Sequence, residues 1–306
     1  AMITINNVSK IYNKNKKTET IAIDNLSLKI YDGSIVGLIG PNGAGKSTLI
    51  KMILGIMYPT QGEISINNLN SFKHRKKLMK NIGIVFGQRS QLWWDLPPID
   101  SYNLIQKMYD VDKKSFEKTL GEMVDALDVK DIIHKPVRYL SLGQRMKCEL
   151  IAALCFLPKI VILDEPTIGL DISAKDSIRN FLKQLNIKHG VTIILATHDL
   201  SDVEAICERV IMINHGNILF DGDSKSLINA NSNIKKIEIT CLDCVCETEI
   251  PFECEVERLG NKSILKTSGN SSDIIYAINW CFKECNIEDV SITKHGIEEV
   301  LMDWYK

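Results

Sequence analysis

Ser34-Ile35-Val36-Gly37-Leu38-Ile39-Gly40-Pro41-Asn42-Gly43-Ala44-Gly45-Lys46-Ser47-Thr48 is the stretch on which the reading of this chain turns. Its first six residues form a short apolar run of the kind expected of a strand buried on both faces. The run empties into Gly40-Pro41-Asn42-Gly43-Ala44-Gly45-Lys46-Ser47, which fits G-x-x-x-x-G-K-[ST], and a helix is expected to begin near Lys46. Glycines let successive backbone N–H groups turn inward around phosphate oxygens, and the following helix N-terminus adds partial positive charge. Residues Gly40 to Thr48 are therefore the expected phosphate-binding set, with Lys46 reaching the outer phosphates and the Ser47 hydroxyl on Mg²⁺.

Such a cradle needs an acidic partner at the end of another buried strand. Ile160-Val161-Ile162-Leu163 is a second apolar run, and it ends in Asp164-Glu165. Asp164 is the expected Mg²⁺ residue, and Glu165 the general base that polarises an attacking water. Val191 to Ala196 is a third strand of the same type. From Met2 to about residue 230, short β-rich runs alternate with helical segments, which predicts an α/β domain built on a largely parallel sheet. Between Asp100 and Leu157 the strand pattern gives way to helical periodicity, as in Leu120, Met123, Val124 and Leu127, so a helical subdomain of about residues 89–158 is expected inside the domain.

Asn229-Ala230-Asn231-Ser232-Asn233 is polar and turn-prone, and reads as a linker. Beyond it, residues 231–306 predict a small α+β accessory domain: a strand Ile234 to Cys241, β-rich sequence from Cys254 to Thr267, a helix Ser272 to Cys285, a strand Ile287 to Thr293 and a closing helix Ile297 to Trp304.

The composition excludes several classes. Among 306 residues, 37 Lys+Arg balance 38 Asp+Glu to a formal charge of -1, so no global attraction to nucleic acid is expected. The longest apolar stretch, Leu150 to Leu163, is interrupted by Pro158 and Lys159 and falls short of the roughly 18 to 20 apolar residues of a spanning helix. Ala1-Met2-Ile3-Thr4 does not read as a signal peptide, and the nine irregularly spaced cysteines read as reduced thiols. Cys241, Cys244, Cys246, Cys254, Cys281 and Cys285 could in principle gather a metal, but no His lies near them in sequence and free thiols are the expectation. The basic cluster Lys73-His74-Arg75-Lys76-Lys77, with Lys80, reads as the solvated face of a short helix.

Taken together, Met2 to about Ala230 resembles the nucleotide-binding domain of ABC ATPases, a P-loop fold. Leu140-Ser141-Leu142-Gly143-Gln144 resembles the family signature Leu-Ser-Gly-Gly-Gln, with Leu142 in place of the first glycine, and it stands at the N-terminus of an expected helix Gln144 to Phe156. The resemblance implies that Ser141, Gly143 and Gln144 serve the γ-phosphate of ATP held by an opposite subunit, so that a site is complete only in a head-to-tail dimer, of two copies or of this chain with a related ATPase. It also implies that Tyr12 stacks on adenine, that Gln88 senses Mg²⁺ and the attacking water, with Gln91 a weaker candidate, that Asp171 in Gly169-Leu170-Asp171 speaks across the dimer, and that His198 contacts the γ-phosphate.

Chains of this kind with one nucleotide domain resemble the separately encoded ATPases of membrane transporters. The implied activity is ATP hydrolysis with ATP and Mg²⁺ at the cytoplasmic face of the membrane, bound peripherally to integral-membrane permease subunits. The short tail and Gln88-Arg89-Ser90-Gln91-Leu92-Trp93-Trp94-Asp95-Leu96-Pro97 resemble an exporter-like branch, with Trp93 and Trp94 placed where a partner helix could dock. Two alternatives remain at this point: an importer ATPase, and a non-transport ATPase of the translation or DNA-maintenance type.

Overall fold

Two apolar periodicities divide the strands of residues 3–223 into two sheets, and the helix that follows the phosphate loop lies between them. The computed structural model describes residues 3–13, 18–87, 90–230, 234–241, 254–259, 262–268, 271–284 and 287–294. The chain divides into two compact units, Ala1–Ser224 and Lys225–Lys306.

The first unit opens with β1 (Ile3–Tyr12) and β2 (Thr20–Ile30), which pair antiparallel with Ile3 opposite Ile30 and Ile5 opposite Leu28. In Leu26-Ser27-Leu28-Lys29-Ile30 buried apolar residues alternate with exposed polar ones, the pattern of a strand with one wet face. β3 (Ile35–Ile39) is buried throughout and runs into α1 (Lys46–Ile53). β4 (Gln61–Ile66) and β5 (Leu69–Asn70) then complete a four-stranded sheet in the order β2-β1-β4-β5. The sequence predicted a largely parallel sheet, which is the second sheet described below; this first sheet is antiparallel, the arrangement that suits a strand such as β2 with one polar face.

After the short α2 (Arg75–Leu78) and β6 (Ile82–Phe86), three helices follow: α3 (Pro98–Met108), α4 (Lys113–Ala126) and α5 (Leu142–Leu154). Pro98 opens α3, where its missing N–H costs nothing, and Asp112 caps α4 by accepting the Ser115 N–H at 2.9 Å. The chain returns as β7 (Ile160–Asp164), α6 (Ile172–His189), β8 (Thr192–Thr197), α7 (Leu200–Ile206), β9 (Arg209–Asn214) and β10 (Asn217–Asp223). The resulting six-stranded sheet runs β10-β9-β3-β8-β7-β6, with β3, β6, β7, β8 and β9 parallel and β10 an antiparallel edge. This is the P-loop α/β fold expected from the phosphate loop.

Helix α1 lies between the sheets. Leu49, Ile50, Met52 and Ile53 are buried in one cluster with Ile5, Ile64 and Leu28 of the first sheet and Leu38, Ile162, Ile194 and Ile211 of the second. Cutting Ile50 back to Ala would cost about 2–5 kcal/mol through lost transfer energy and the cavity left behind.

The second unit contains α8 (Ser224–Ala230), which starts at the boundary, then β11 (Ile234–Cys241), β12 (Cys254–Leu259), β13 (Lys262–Ser268), α9 (Ser271–Glu284) and β14 (Ile287–Lys294). Its strands form an antiparallel sheet in the order β12-β13-β11-β14. The predicted closing helix Ile297 to Trp304 lies outside the described residues, as do Cys244, Cys246 and Cys285.

Candidate active site

β3, β8 and β7 are neighbours in the parallel sheet, so the loops leaving their carboxyl ends meet at one edge. Ligands of open α/β sheets bind at that edge. Here it brings Gly40 to Thr48 from β3, His198 from β8, and Asp164 and Glu165 from β7 together. A cleft of about 530 Å³ opens there, lined by Pro41, Asn42, Gly43, Ala44, Gly45, Lys46, Ser47 and Thr48 together with Asp164 and Glu165. The size suits a small-molecule ligand.

Gly45 enters α1 at φ 109°, and a Cβ there would lie 2.5 Å from the Ala22 carbonyl oxygen. Only glycine fits that turn. Lys46 is buried, and its ammonium donates to the Gly40 and Pro41 carbonyls, at 3.1 Å to the latter. Burial pushes its pKa down while the charges of Glu165 and Asp164 hold it up. The Ser47 hydroxyl faces Asp164 Oδ2 at 3.4 Å. Burial and the neighbouring Glu165 push the Asp164 carboxyl up, against the opposing pull of Ser47, Lys46 and Lys51. A hydroxyl and a carboxylate this close are hard oxygen donors of the type Mg²⁺ takes.

Glu165 stands in the left-handed region at φ 55°, a conformation that costs a non-glycine residue about 1–3 kcal/mol. Its N–H donates to the Ala196 carbonyl at 2.8 Å, and its Oε1 lies 2.8 Å from His198 Nδ1. The strained backbone aims the carboxylate at the cleft and at the exposed imidazole. Gly87, which also lines the cleft, donates its N–H to the Asp164 carbonyl at 2.8 Å. A Cβ at Gly87 would come within 2.4 Å of the Glu165 carbonyl oxygen, so the chain passes as close as backbone allows. A backbone cradle, a lysine, an oxygen pair for a cation and a carboxylate-imidazole pair together can hold a polyphosphate and activate water against it.

Tyr12 stands beside this cleft, its hydroxyl 3.5 Å from Thr48 Oγ1 and donating to Met57 Sδ at 3.1 Å. Gln88 lies outside the described residues. Gln91 is described, and its side-chain amide donates to the Ile84 carbonyl of β6. Ser141 is the N-cap of α5: it accepts the Gln144 N–H at 3.2 Å while Gln144 Oε1 accepts the Ser141 N–H at 3.0 Å. This reciprocal cap starts the helix at Leu142, two residues before the Gln144 start expected from the sequence. Gly143 packs on the first turn of α6, where a Cβ would meet Ala174 Cβ at 3.1 Å, and Asp171 caps α6 by accepting the Ala174 N–H at 2.8 Å.

Sequence reasoning missed a charged network behind the site. Asp202, 1% exposed, accepts from the Thr167 hydroxyl and from Arg179 Nε at 2.7 Å, and Lys175 pairs with Asp199 at 2.5 Å. These contacts tie α6 to α7, and so the Asp171 loop to the loop carrying His198. Burial pushes the Asp199 carboxyl up, but its bonds to Lys175 and Ser201 outweigh it and hold it at about 2. Asp202 three residues beyond Asp199, in an otherwise apolar helical face, was the available signal.

Comparison with known proteins fits this geometry. The ABC transporter family profile matches residues 23–168. The ABC transporter ATP-binding protein NatA of Bacillus subtilis is 30% identical over 226 residues, 74% of this chain and 91% of that protein. The methionine import ATP-binding protein MetN of Clostridium acetobutylicum is 34% identical over 242 residues, 77% of this chain and 73% of that protein. Among solved structures, a dimeric ATP-binding cassette in a post-hydrolysis state with ADP and Pi is 27% identical with a TM-score of 0.65, covering 72% of this chain and 98% of that one. Among the described residues no helix is long and apolar enough to cross a membrane. The chain belongs to the ATP-binding subunits of ABC transporters, and it is an ATPase of that family.

Proposed function

We propose that this ATPase binds ATP and Mg²⁺ in the cleft at the sheet edge, completes each site with Ser141, Gly143 and Gln144 of a second ATPase subunit, and powers export through separately encoded membrane permeases. The observation that carries the catalytic part is the Glu165–His198 contact at 2.8 Å, held at the mouth of a cleft whose floor is the phosphate loop. Glu165 is the base for the attacking water, and His198 orients it and reaches the γ-phosphate. Lys46 leaves its loop carbonyls for the phosphates. Ser47 and Asp164 would hold Mg²⁺, which when bound would neutralise phosphate charge. Tyr12 supplies a π-face for adenine, and Gln88 the link from cation to helical subdomain.

Support for a second subunit comes from the surface around the two capped helices. Leu142, Ile168 and Ile172 are exposed, 79% for Ile172, and they flank Ser141 and Asp171. The related cassette is itself dimeric. Trp93 and Trp94, about half exposed, offer aromatic anchors for a permease helix. The direction rests on the resemblance of Gln88-Arg89-Ser90-Gln91-Leu92-Trp93-Trp94-Asp95-Leu96-Pro97 to an exporter-like branch. An importer is the second reading, favoured by the similarity to a methionine import protein.

One preparation tests these parts. The Glu165→Gln variant, trapped with ATP and purified from detergent-solubilised membranes of its host, is expected to carry a polytopic membrane protein lacking its own ATPase. Inside-out vesicles containing that membrane protein with the parent ATPase, Glu165 intact, are then expected to accumulate the cargo on adding ATP. Loss of cargo from such vesicles instead makes it an importer, and soluble partners alone overturn the transporter assembly.

A further inference from the structure

Helix α5 buries one acid that the mechanism above does not use. Glu149 is 4% exposed, on a stretch of helix whose other buried residues, among them Met146, Cys148, Leu150 and Ile151, are apolar. A buried carboxylate is costly unless it is hydrogen-bonded, and replacing buried charge by apolar side chains is often neutral or stabilising. Stability alone is therefore a poor reason for Glu149.

What the carboxylate holds is specific. The Ser90 hydroxyl donates to its Oε1, and the Gln91 N–H donates to Oε1 at 3.2 Å and to Oε2 at 3.0 Å. The Leu92 N–H in turn donates to Ser90 Oγ at 3.2 Å. Burial pushes the Glu149 carboxyl up, and the bonds from Ser90 and Gln91 oppose that shift. Gln91 also reaches the other way, from its side-chain amide to the Ile84 carbonyl in β6. The same stretch leaves the cleft at Gly87, whose N–H is fixed to the Asp164 carbonyl. Eight positions before Glu149 on the same helix stands Ser141, about 12 Å away at the helical rise.

We propose that Glu149 is a positioning residue for ATP turnover, clamping the segment that leaves the cleft after Gly87 onto the helix that presents Ser141. Through it, a change at the cation and water site reaches the signature end of α5 within one subunit. The inference rests on the reading that Ser141 serves nucleotide bound by a second subunit.

The test uses the full chain and compares ATP affinity at equilibrium, kcat and KM for Glu149→Leu, Glu149→Gln, Ser90→Ala and Ser141→Ala. Glu149→Leu, similar in volume with no acceptor, is expected to lose about tenfold in kcat with ATP affinity within about twofold. Glu149→Gln keeps a carbonyl for the Gln91 N–H and is expected to recover to within about threefold of the parent. Ser90→Ala is expected to lose about threefold, and combined with Glu149→Leu to add nothing further, since both remove one clamp. Parent-like kcat in Glu149→Leu overturns the proposal, as does an equal fall of kcat and ATP affinity in both Glu149 variants. Should Glu149→Leu fail to fold, Ser90→Ala decides: unchanged kcat overturns the clamp. Ser141→Ala with normal turnover removes the signature reading and the clamp's target with it, whereas slow Ser141→Ala beside normal Glu149→Leu sinks the clamp alone.

Discussion

Two helix N-termini in this molecule, both proposed above to meet phosphate, are finished in opposite ways. At α1 the N-cap is Gly45, no side chain caps the turn and the first turn holds no acid, so the backbone donors face the cleft. At α5 the Ser141–Gln144 capping box already satisfies two of the orphan donors. The first terminus leaves its backbone donors open to the cleft. The second is closed on itself, and what it has left to offer is the Ser141 hydroxyl hydrogen and the amides beyond it. On the proposed function, binding and turnover divide between these two ends of the fold, and variants at each end test that division.

The largest effect is expected at the carboxylate between them. Glu165→Gln removes the base and leaves the cradle, so turnover should fall by about 10²–10⁴-fold while equilibrium ATP binding persists. Parallel loss of binding would show that the cradle does not act alone. Next in size, Lys46→Ala removes a charge-assisted contact worth about 1.5–3 kcal/mol, and ATP affinity should drop roughly 10- to 150-fold by calorimetry. An unchanged affinity would move the phosphates away from Lys46. Ser141→Ala should sharpen the contrast from the other end. ATP affinity stays within about twofold, while the lost cap lowers unfolding free energy by about 1 kcal/mol in denaturant titration. A drop in affinity as large as that of Lys46→Ala would erase the distinction between the termini.

The α1 end was legible before any coordinates, because strand, glycine loop and helix are consecutive and each has its own local signature. Asp164 and Glu165 were legible for the same reason, as the terminus of a four-residue apolar run. The α5 end was less so. The reciprocal Ser141–Gln144 cap was present as S-x-x-Q, yet the helix was expected two residues late. The antiparallel first sheet was missed although Leu26-Ser27-Leu28-Lys29-Ile30 alternates visibly, because the parallel pattern of β3, β7 and β8 was extended to its neighbours. Glu149 and Asp202 were missed because the side chains that donate to their carboxylates lie 20 or more positions away, and an acid among apolar helical neighbours does not by itself name those donors.

The smallest expected effect concerns the cost of keeping the α1 end open. Asp164 sits beside Glu165 in a partly desolvated edge, and its carboxyl is raised above the ordinary range. A carboxyl whose native pKa exceeds its unfolded value binds its proton more tightly when folded. Its stabilising contribution is present below the unfolded pKa and lost as pH rises through the raised native one. At neutral pH, with no nucleotide, ionised Asp164 therefore opposes folding. Asp164→Asn is isosteric and uncharged, and it can still accept from the Ser47 hydroxyl. The nucleotide-free variant should melt slightly higher than the parent at pH 7, and the gain should vanish as pH falls below the ordinary carboxylate range. The Ser141 end provides the control, because no titrating group holds its cap: Ser141→Ala should lose the same stability at both pH values. If Asp164→Asn melts lower than the parent at pH 7, then Ser47, Lys46 and Lys51 outweigh burial, and the cleft is held together by the charges that otherwise strain it.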